Sequence, residues 1–127
     1  MNRADRTTPA WWLWLPVVLY MAGIFFASSL QDPPVPSDVP DVSLHEAAYF
    51  GLTLLLIRAL AGGRWAGVTF VTLAAAWAIA VAYGMTDEWH QSFVPNRHAE
   101  LRDLGSDAIG AFVATLVVGA WGIIRRL

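Results

Sequence analysis

Residues 86–110 read TDEWHQSFVPNRHAELRDLGSDAIG, and this polar stretch separates two long apolar segments in the C-terminal half of the chain. It holds more groups able to bind a ligand or transfer a proton than any other part of the sequence. Its ionisable side chains are Asp87, Glu88, His90, Arg97, His98, Glu100, Arg102, Asp103 and Asp107. We therefore expect this stretch to carry the function and the apolar segments to form its scaffold.

The apolar segments have the length and composition of membrane spans. Of the 127 residues, 57% are hydrophobic and only 14% are charged, which departs from the balance of soluble domains. Residues 7–31, 65–86 and 108–124 contain no charge, and each is close to the ~20 residues needed to cross a bilayer. A fourth apolar segment, residues 44–61, has its few ionisable groups near its ends.

These segments predict an all-α integral membrane protein, with a single domain, residues 1–127, that forms a four-helix transmembrane bundle. The predicted helices cover about residues 10–29, 44–61, 66–87 and 104–124. The first apolar segment is too long for the apolar core of a secretory signal peptide, which spans about 7–15 residues. We expect it to be retained as a helix.

The distribution of arginine predicts the orientation of the bundle. The side that includes both termini carries Arg3, Arg6, Arg58, Arg64, Arg125 and Arg126. Only Arg97 and Arg102 fall on the other side, where acidic residues outnumber them. Because basic residues are enriched on the cytoplasmic side of membrane proteins, we expect both termini to be cytoplasmic and the polar stretch to lie at the outer face.

Several classes of chemistry are excluded because the chain has no cysteine and no lysine. Without cysteine the chain cannot form disulfides, use thiolate catalysis or bind a metal through sulfur. Without lysine it cannot form a P-loop or a lysine Schiff base. The G-x-S-x-G motif of serine hydrolases is also absent. The net charge is only −2 and the arginines are scattered, so nucleic acid is not an expected partner, and no cofactor is predicted.

Two helix starts bring further side chains to the outer face. Ser43 and Glu46 match the S-x-x-E capping box at the start of the second helix, and Asp103 suits the N-cap of the fourth. His45 and Tyr49 lie along one stripe of the second helix. His45 and Tyr49 suit a ligand site and an ordinary position at the membrane boundary equally well. Asp103 likewise suits helix capping and a functional role equally well.

The end of the third helix carries Asp87, Glu88 and Gln91. Asp87 and Gln91 share a face if the helix continues that far. The backbone dipole disfavours carboxylates at a helix C-terminus, so we expect these two acids to approach a cation such as Arg97. Because ionisable groups at membrane depth are usually functional, Asp87 and Glu88 are candidates for a catalytic base. The alternative is a structural ion-pair network that braces the loop.

A metal site in the same region is more weakly indicated than a ligand-binding or proton-transfer site. Mixed nitrogen and oxygen donors would come from His45, Asp87, Glu88 and His90. Residues 45–49 read HEAAY, so Tyr49 stands where the zinc-protease motif H-E-x-x-H needs its second histidine. The sequence therefore predicts no metal.

Four short motifs occur in this sequence in the order and spacing that a known family shows. They are FFASSLQ at residues 25–31, HEAAYFGL at 45–52, DEWHQSFVPNR at 87–97 and DLGSDAIG at 103–110. On these motifs the chain resembles the VanZ-like family, the family of the teicoplanin-resistance membrane protein. It departs from the family pattern at Asn96 in place of Gly, at Asp107 in place of Asn, and at Ala108-Ile109 in place of Thr-Leu. Asparagine tolerates the left-handed backbone that the glycine would supply.

The resemblance implies a multi-pass protein of the bacterial inner membrane and a set of site residues. The residues carried over are His45, Tyr49, Asp87, Glu88, Gln91, Arg97, Asp103 and Asp107. In some members the family is linked to lower glycopeptide susceptibility, which does not specify a reaction.

Three functions therefore stay open at the level of sequence. The first is binding of a cell-envelope molecule, such as a lipid-linked precursor or a lipoglycopeptide, which would influence teicoplanin susceptibility. The second is an enzyme that modifies such a lipid, with Asp87 or Glu88 as base and Arg97 holding an anionic group. The third is a non-catalytic subunit that contacts membrane lipids and a membrane-protein partner.

Overall fold

The described part of the chain, residues 7–31 and 38–126 of a computed structural model, is helical and contains no β-strand. Its α-helices are α1 (Ala10–Ser29), α2 (Asp41–Leu60), α3 (Phe70–Gln91) and α4 (Leu101–Arg126). A short 3-10 turn, Trp65–Gly67, lies between α2 and α3. The all-α prediction is confirmed for these residues.

Three of the four helices, α1, α3 and α4, are long and apolar enough to cross a membrane. α2 has 20 residues but no equally long apolar stretch, because Asp41, His45, Glu46 and Arg58 lie along it. The chain is therefore a candidate multi-pass membrane protein in which three helices have the length and composition of membrane spans.

The helix without an apolar stretch of membrane-span length, α2, is the one that makes the most extensive contacts with the others. α2 packs against α1, α3 and most extensively α4, and its residues Tyr49, Leu52 and Leu56 are almost fully buried. The outer faces of the other helices expose large apolar side chains such as Phe26, Phe70 and Ile123. Polar interior positions and an apolar exterior are typical of a bundle whose solvent is lipid.

Glycines allow the helices to approach closely where α2 and α3 cross α4. A Cβ atom added at Gly110 would lie 2.2 Å from the carbonyl oxygen of Glu46, and one at Gly84 would lie 2.9 Å from Oδ2 of Asp107. Small residues serve this purpose at helix contacts in membranes. The lack of a side chain at these two glycines lets α2 and α3 pack closely against α4 beside the buried acidic residues.

The helices run in alternating directions, so their polar ends meet. The end of α1 contacts the end of α3 through Ser28 and Asp87, and the start of α2 contacts the start of α4 through His45 and Asp107. We call this the polar end.

The opposite end of the bundle is basic. Arg125 lies 4.8 Å above the ring of Trp65, and Arg58 donates a 3.5 Å hydrogen bond to the carbonyl of Trp12. We call this the basic end. The predicted contributions of Arg3 and Arg6 to it lie outside the described residues.

Two helix starts differ from the sequence-based expectation. α2 begins at Asp41, directly after Pro40, whose extended backbone stops the helix from reaching further back; its carbonyl accepts from the amides of Ser43 and Leu44. The residues of the expected capping box therefore lie inside the helix. α4 begins at Leu101, so Asp103 lies in its first turn and turns its carboxylate toward α2 instead of capping.

The third helix is shifted toward the polar end. It starts at Phe70, because the 3-10 turn occupies the residues before it and Thr69 forms a capping box with Thr72. It continues to Gln91, beyond the predicted end at residue 87. This extension places Asp87 and Gln91 on one helical face.

We expect Gly110→Ala to destabilise the protein by about 1–3 kcal/mol, because the added methyl group overpacks the contact with Glu46. Gly105 is the matched control, since it lies on the same helix with nothing within 4 Å of an added Cβ. Gly105→Ala should stabilise by up to about 1 kcal/mol through helix propensity. Thermal unfolding of the detergent-solubilised protein measures both changes, and equal effects of the two substitutions would contradict the close α2–α4 packing.

Candidate functional site

Four carboxylates are buried at the polar end. The exposed fractions are 4% for Asp87, 8% for Glu88, 6% for Asp103 and 0% for Asp107. α3 supplies the first two and α4 the other two. A buried carboxylate is costly without a partner, so the hydrogen bonds around each acid determine what the site can do.

His45 of α2 lies between the two acids of α4. Its Nδ1 is 2.7 Å from Oδ1 of Asp107, and its Nε2 is 3.8 Å from Oδ2 of Asp103. The two aspartates lie four residues apart and therefore share one face of α4. These are the only ion pairs within residues 7–31 and 38–126.

Asp87 forms a separate network with α1. Ser28 donates a hydrogen bond to Oδ1 of Asp87, and the amide of Gln91 lies 3.3 Å from the Ser28 hydroxyl and 3.5 Å from Oδ2 of Asp87. Ser28 was not among the predicted site residues. The motif FFASSLQ contains it, and its position at the end of an apolar helix was the available signal.

Glu88 faces α4 and the loop that precedes it. Its Oε2 accepts a 3.0 Å hydrogen bond from the backbone amide of Glu100, whereas Oε1 is buried and has no partner among the described residues. The same holds for Oδ2 of Asp107 and the hydroxyl of Tyr49 within residues 7–31 and 38–126. Such groups are rare in folded proteins, because each one loses its hydrogen bonds to water without replacement. We call His45, Glu88, Asp103 and Asp107 the carboxylate cluster.

A cavity of about 150 Å³ opens beside the carboxylate cluster. Its polar lining comes from Ser28, Asp41, His45, Tyr49, Asp87, Gln91 and Arg97. Apolar side chains from α1 and α2, including Ile24 and Leu44, complete the wall. The cavity therefore joins charged and apolar surfaces.

Arg97 enters this wall from the loop between α3 and α4. Asn96 has a φ of 64°, the left-handed turn expected from the sequence, and the half-buried side chain of Arg97 lines the cavity with Asp87. The guanidinium forms no ion pair with a carboxylate in the described part of the chain. In such a pair the guanidinium can hold an anionic ligand, and the carboxylate can accept a proton from it.

All eight residues predicted for the site lie at the polar end, in two groups. His45, Tyr49, Asp87, Gln91 and Arg97 line the cavity. Glu88, Asp103 and Asp107 lie in the carboxylate cluster, which His45 shares with the cavity.

The donors considered for a metal from sequence alone are not brought together as a set. The ring of His90 stacks on Phe25 at 4.1 Å, and Asp87 is bound to Ser28. A different group, His45, Glu88 and Asp107, places one ligand atom from each residue within 4.8 Å of the others.

The fold and site define an all-helical protein with three helices able to span a membrane and a buried acidic site at one end of the bundle. No family model, curated protein or solved structure matches the chain. The VanZ-like assignment therefore stays a prediction from the sequence motifs.

The pairing of His45 with Asp107 can be tested by a double-mutant cycle on metal-free protein. His45→Gln should destabilise by about 3 kcal/mol or more, because it leaves a buried carboxylate uncompensated. Adding Asp107→Asn should restore part of this loss, giving a coupling of at least about 1 kcal/mol. Thermal unfolding in detergent provides the measurement, with His98→Gln in the exposed loop as the control. Additive losses would show that the two side chains do not depend on each other.

Proposed function

We propose that all four helices span the bacterial cell membrane, with both termini in the cytoplasm and the polar end at the outer face. The alternating helix directions and the enclosed position of α2 support this topology, since the other helices shield its polar residues from lipid. The excess of arginine at the basic end, where Arg58, Arg64, Arg125 and Arg126 lie, supports the orientation.

We further propose that the cavity at the polar end binds the anionic head group of a cell-envelope lipid or lipoglycopeptide. The observation that carries this proposal is the position of Arg97, the one arginine that lines the cavity, whose guanidinium has no ion pair within the described part of the chain. A guanidinium offers a planar fork of donors that matches a phosphate or carboxylate. The apolar wall formed by Ile24 and Leu44 suits the first carbon atoms of an attached chain.

As a VanZ-like protein, the chain would influence teicoplanin susceptibility by this binding. Its ligand would be a lipid-linked envelope precursor or the glycopeptide itself, reached from the outer face. The four sequence motifs support the family assignment. Residues from these motifs contact one another at the polar end, which supports a common role for them.

An enzyme acting on the same class of lipid is the second candidate. Asp87 favours it, because this carboxylate lines the cavity and is held by Ser28 and Gln91 in a fixed position. Glu88 does not line the cavity, so Asp87 is the better candidate for a base. Such an enzyme would convert the bound lipid, whereas a binding protein would release it unchanged.

The topology is testable because the chain has no native cysteine. Single cysteines in place of Asp38 and His98 should react with a membrane-impermeant maleimide in intact cells whose outer membrane has been permeabilised. Ala66→Cys, in the turn at the basic end, should react only after lysis. The reverse pattern would place the polar end in the cytoplasm.

The role of Arg97 is testable with a polyprenyl phosphate lipid and teicoplanin as probes. Arg97→Lys should weaken the binding of whichever probe the wild type binds by at least about tenfold. The reason is that an ammonium cannot replace the bidentate contact of a guanidinium with a phosphate or carboxylate. Arg102→Lys is the control, since this exposed arginine lies in the first turn of α4 and does not line the cavity. Native mass spectrometry measures binding, and the same preparations report any copurifying protein partner.

Thermal stability separates this role from a structural one. Arg97→Lys should leave the unfolding midpoint unchanged. A lower midpoint in Arg97→Lys and in Asp87→Asn, with little further loss in the double variant, would mean that Arg97 only braces the loop. Unchanged binding of both probes would also contradict the proposal.

A further inference from the structure

The carboxylate cluster contains more buried negative charge than its protein partners neutralise. Glu88, Asp103 and Asp107 are each at least nine-tenths buried, and among the described residues only His45 forms an ion pair within the cluster. Arg97 lies across the cavity without an ion pair to any of them. Like charges in a buried site repel, so the arrangement calls for a further cation or for bound protons.

The unpartnered oxygens of the cluster show where such a cation fits. Oε1 of Glu88 and Oδ2 of Asp107 are buried, and neither has a hydrogen-bond partner in the part of the chain that the structure describes. Each residue is held by its other oxygen, Glu88 by the amide of Glu100 and Asp107 by the ring of His45. The protein thus orients both carboxylates while leaving one donor atom on each available.

We propose that His45, Glu88 and Asp107 bind one divalent transition-metal ion at the junction of α2, α3 and α4. Their ligand atoms lie within 4.8 Å of one another. Tetrahedral ligands bound to one ion at ~2.1 Å lie about 3.4 Å apart, so binding requires the ligand atoms to approach one another by up to about 1.4 Å. Glutamate has enough rotatable bonds to make this movement.

Asp103 acts as a positioning residue for the histidine. Metal-binding imidazoles usually give their second nitrogen to a carboxylate, which sets the ring orientation. Oδ2 of Asp103 lies 3.8 Å from Nε2 of His45, beyond hydrogen-bond distance, while Nδ1 contacts Oδ1 of Asp107 at 2.7 Å, a contact that Nδ1 would exchange for the ion. Asp103 therefore lies on the side of the ring from which a carboxylate orients a metal-binding imidazole.

The donor set favours one class of ion. Ca²⁺ and Mg²⁺ prefer oxygen ligands alone, whereas an imidazole combined with carboxylates suits Zn²⁺, Mn²⁺, Fe²⁺ or Co²⁺. Three protein ligands leave at least one coordination position for water or a ligand atom. Because His45 also lines the cavity, that position would lie near the bound head group.

The metal site does not depend on lipid binding and is tested without lipid. The full chain, purified in detergent, stripped with a chelator and freed of any histidine tag, is titrated with Co²⁺. We expect one Co²⁺ per chain, a visible absorption band, displacement by equimolar Zn²⁺ and no displacement by a large excess of Mg²⁺. A wild-type protein that shows no saturable Co²⁺ or Zn²⁺ binding would overturn the proposal, whatever the lipid experiments show.

Matched variants assign the ligands. Glu88→Gln and Asp107→Asn should each weaken Co²⁺ binding at least about tenfold. Glu100→Gln and His98→Gln should leave the affinity unchanged, because both side chains are exposed in the loop. Unchanged affinity in both ligand variants, or an equal loss in the controls, would place any bound ion elsewhere and contradict the assignment.

Stability of the metal-free protein separates a ligand from a structural acid. Glu88→Gln removes a buried charge and keeps an oxygen acceptor for the amide of Glu100. Without metal, its unfolding midpoint should equal or exceed that of the wild type, and Zn²⁺ should raise the midpoint of the wild type but not of the variant. A lower midpoint without metal, combined with an unchanged response to Zn²⁺, would show that Glu88 serves only the fold.

Discussion

The burial of acidic side chains inside an apolar helical bundle is the constraint on which the polar end depends. A carboxylate removed from water destabilises the fold unless another group binds it. Here His45 of α2 lies between Asp103 and Asp107 of α4, and the backbone of Glu100 donates to Glu88 of α3. These partners lie on a different helix from the acid or on the loop between α3 and α4, so the ends of the helices must meet for the acids to be buried.

The same constraint accounts for the place of α2 in the bundle. This helix carries polar groups that would be costly against lipid, and α1, α3 and α4 enclose it. Close approach is needed for that enclosure, and Gly110 and Gly84 permit it at the two points nearest the buried acids. Packing and electrostatics are therefore coupled, because a larger residue at either glycine would push apart the helices that carry the charge partners.

The cavity and the carboxylate cluster are adjacent environments that share His45. The cavity offers Arg97 and an apolar wall, which suit an amphiphile with an anionic head group. The cluster alone would repel such a group, since its acids are near and only partly neutralised. A divalent ion between Glu88 and Asp107 removes that repulsion, so the metal proposal and the binding proposal are physically compatible although each is tested separately.

Composition and helical spacing determined that the protein is helical, because an uncharged run of about 20 residues satisfies its backbone in lipid as a helix. They also singled out the polar stretch. Only the tertiary structure decided how the acids divide: Asp87 pairs with Ser28, 59 residues away, and Asp107 with His45, 62 residues away. No local pattern encodes partners so distant, and Glu88 turns from the cavity because the amide of Glu100 binds it there.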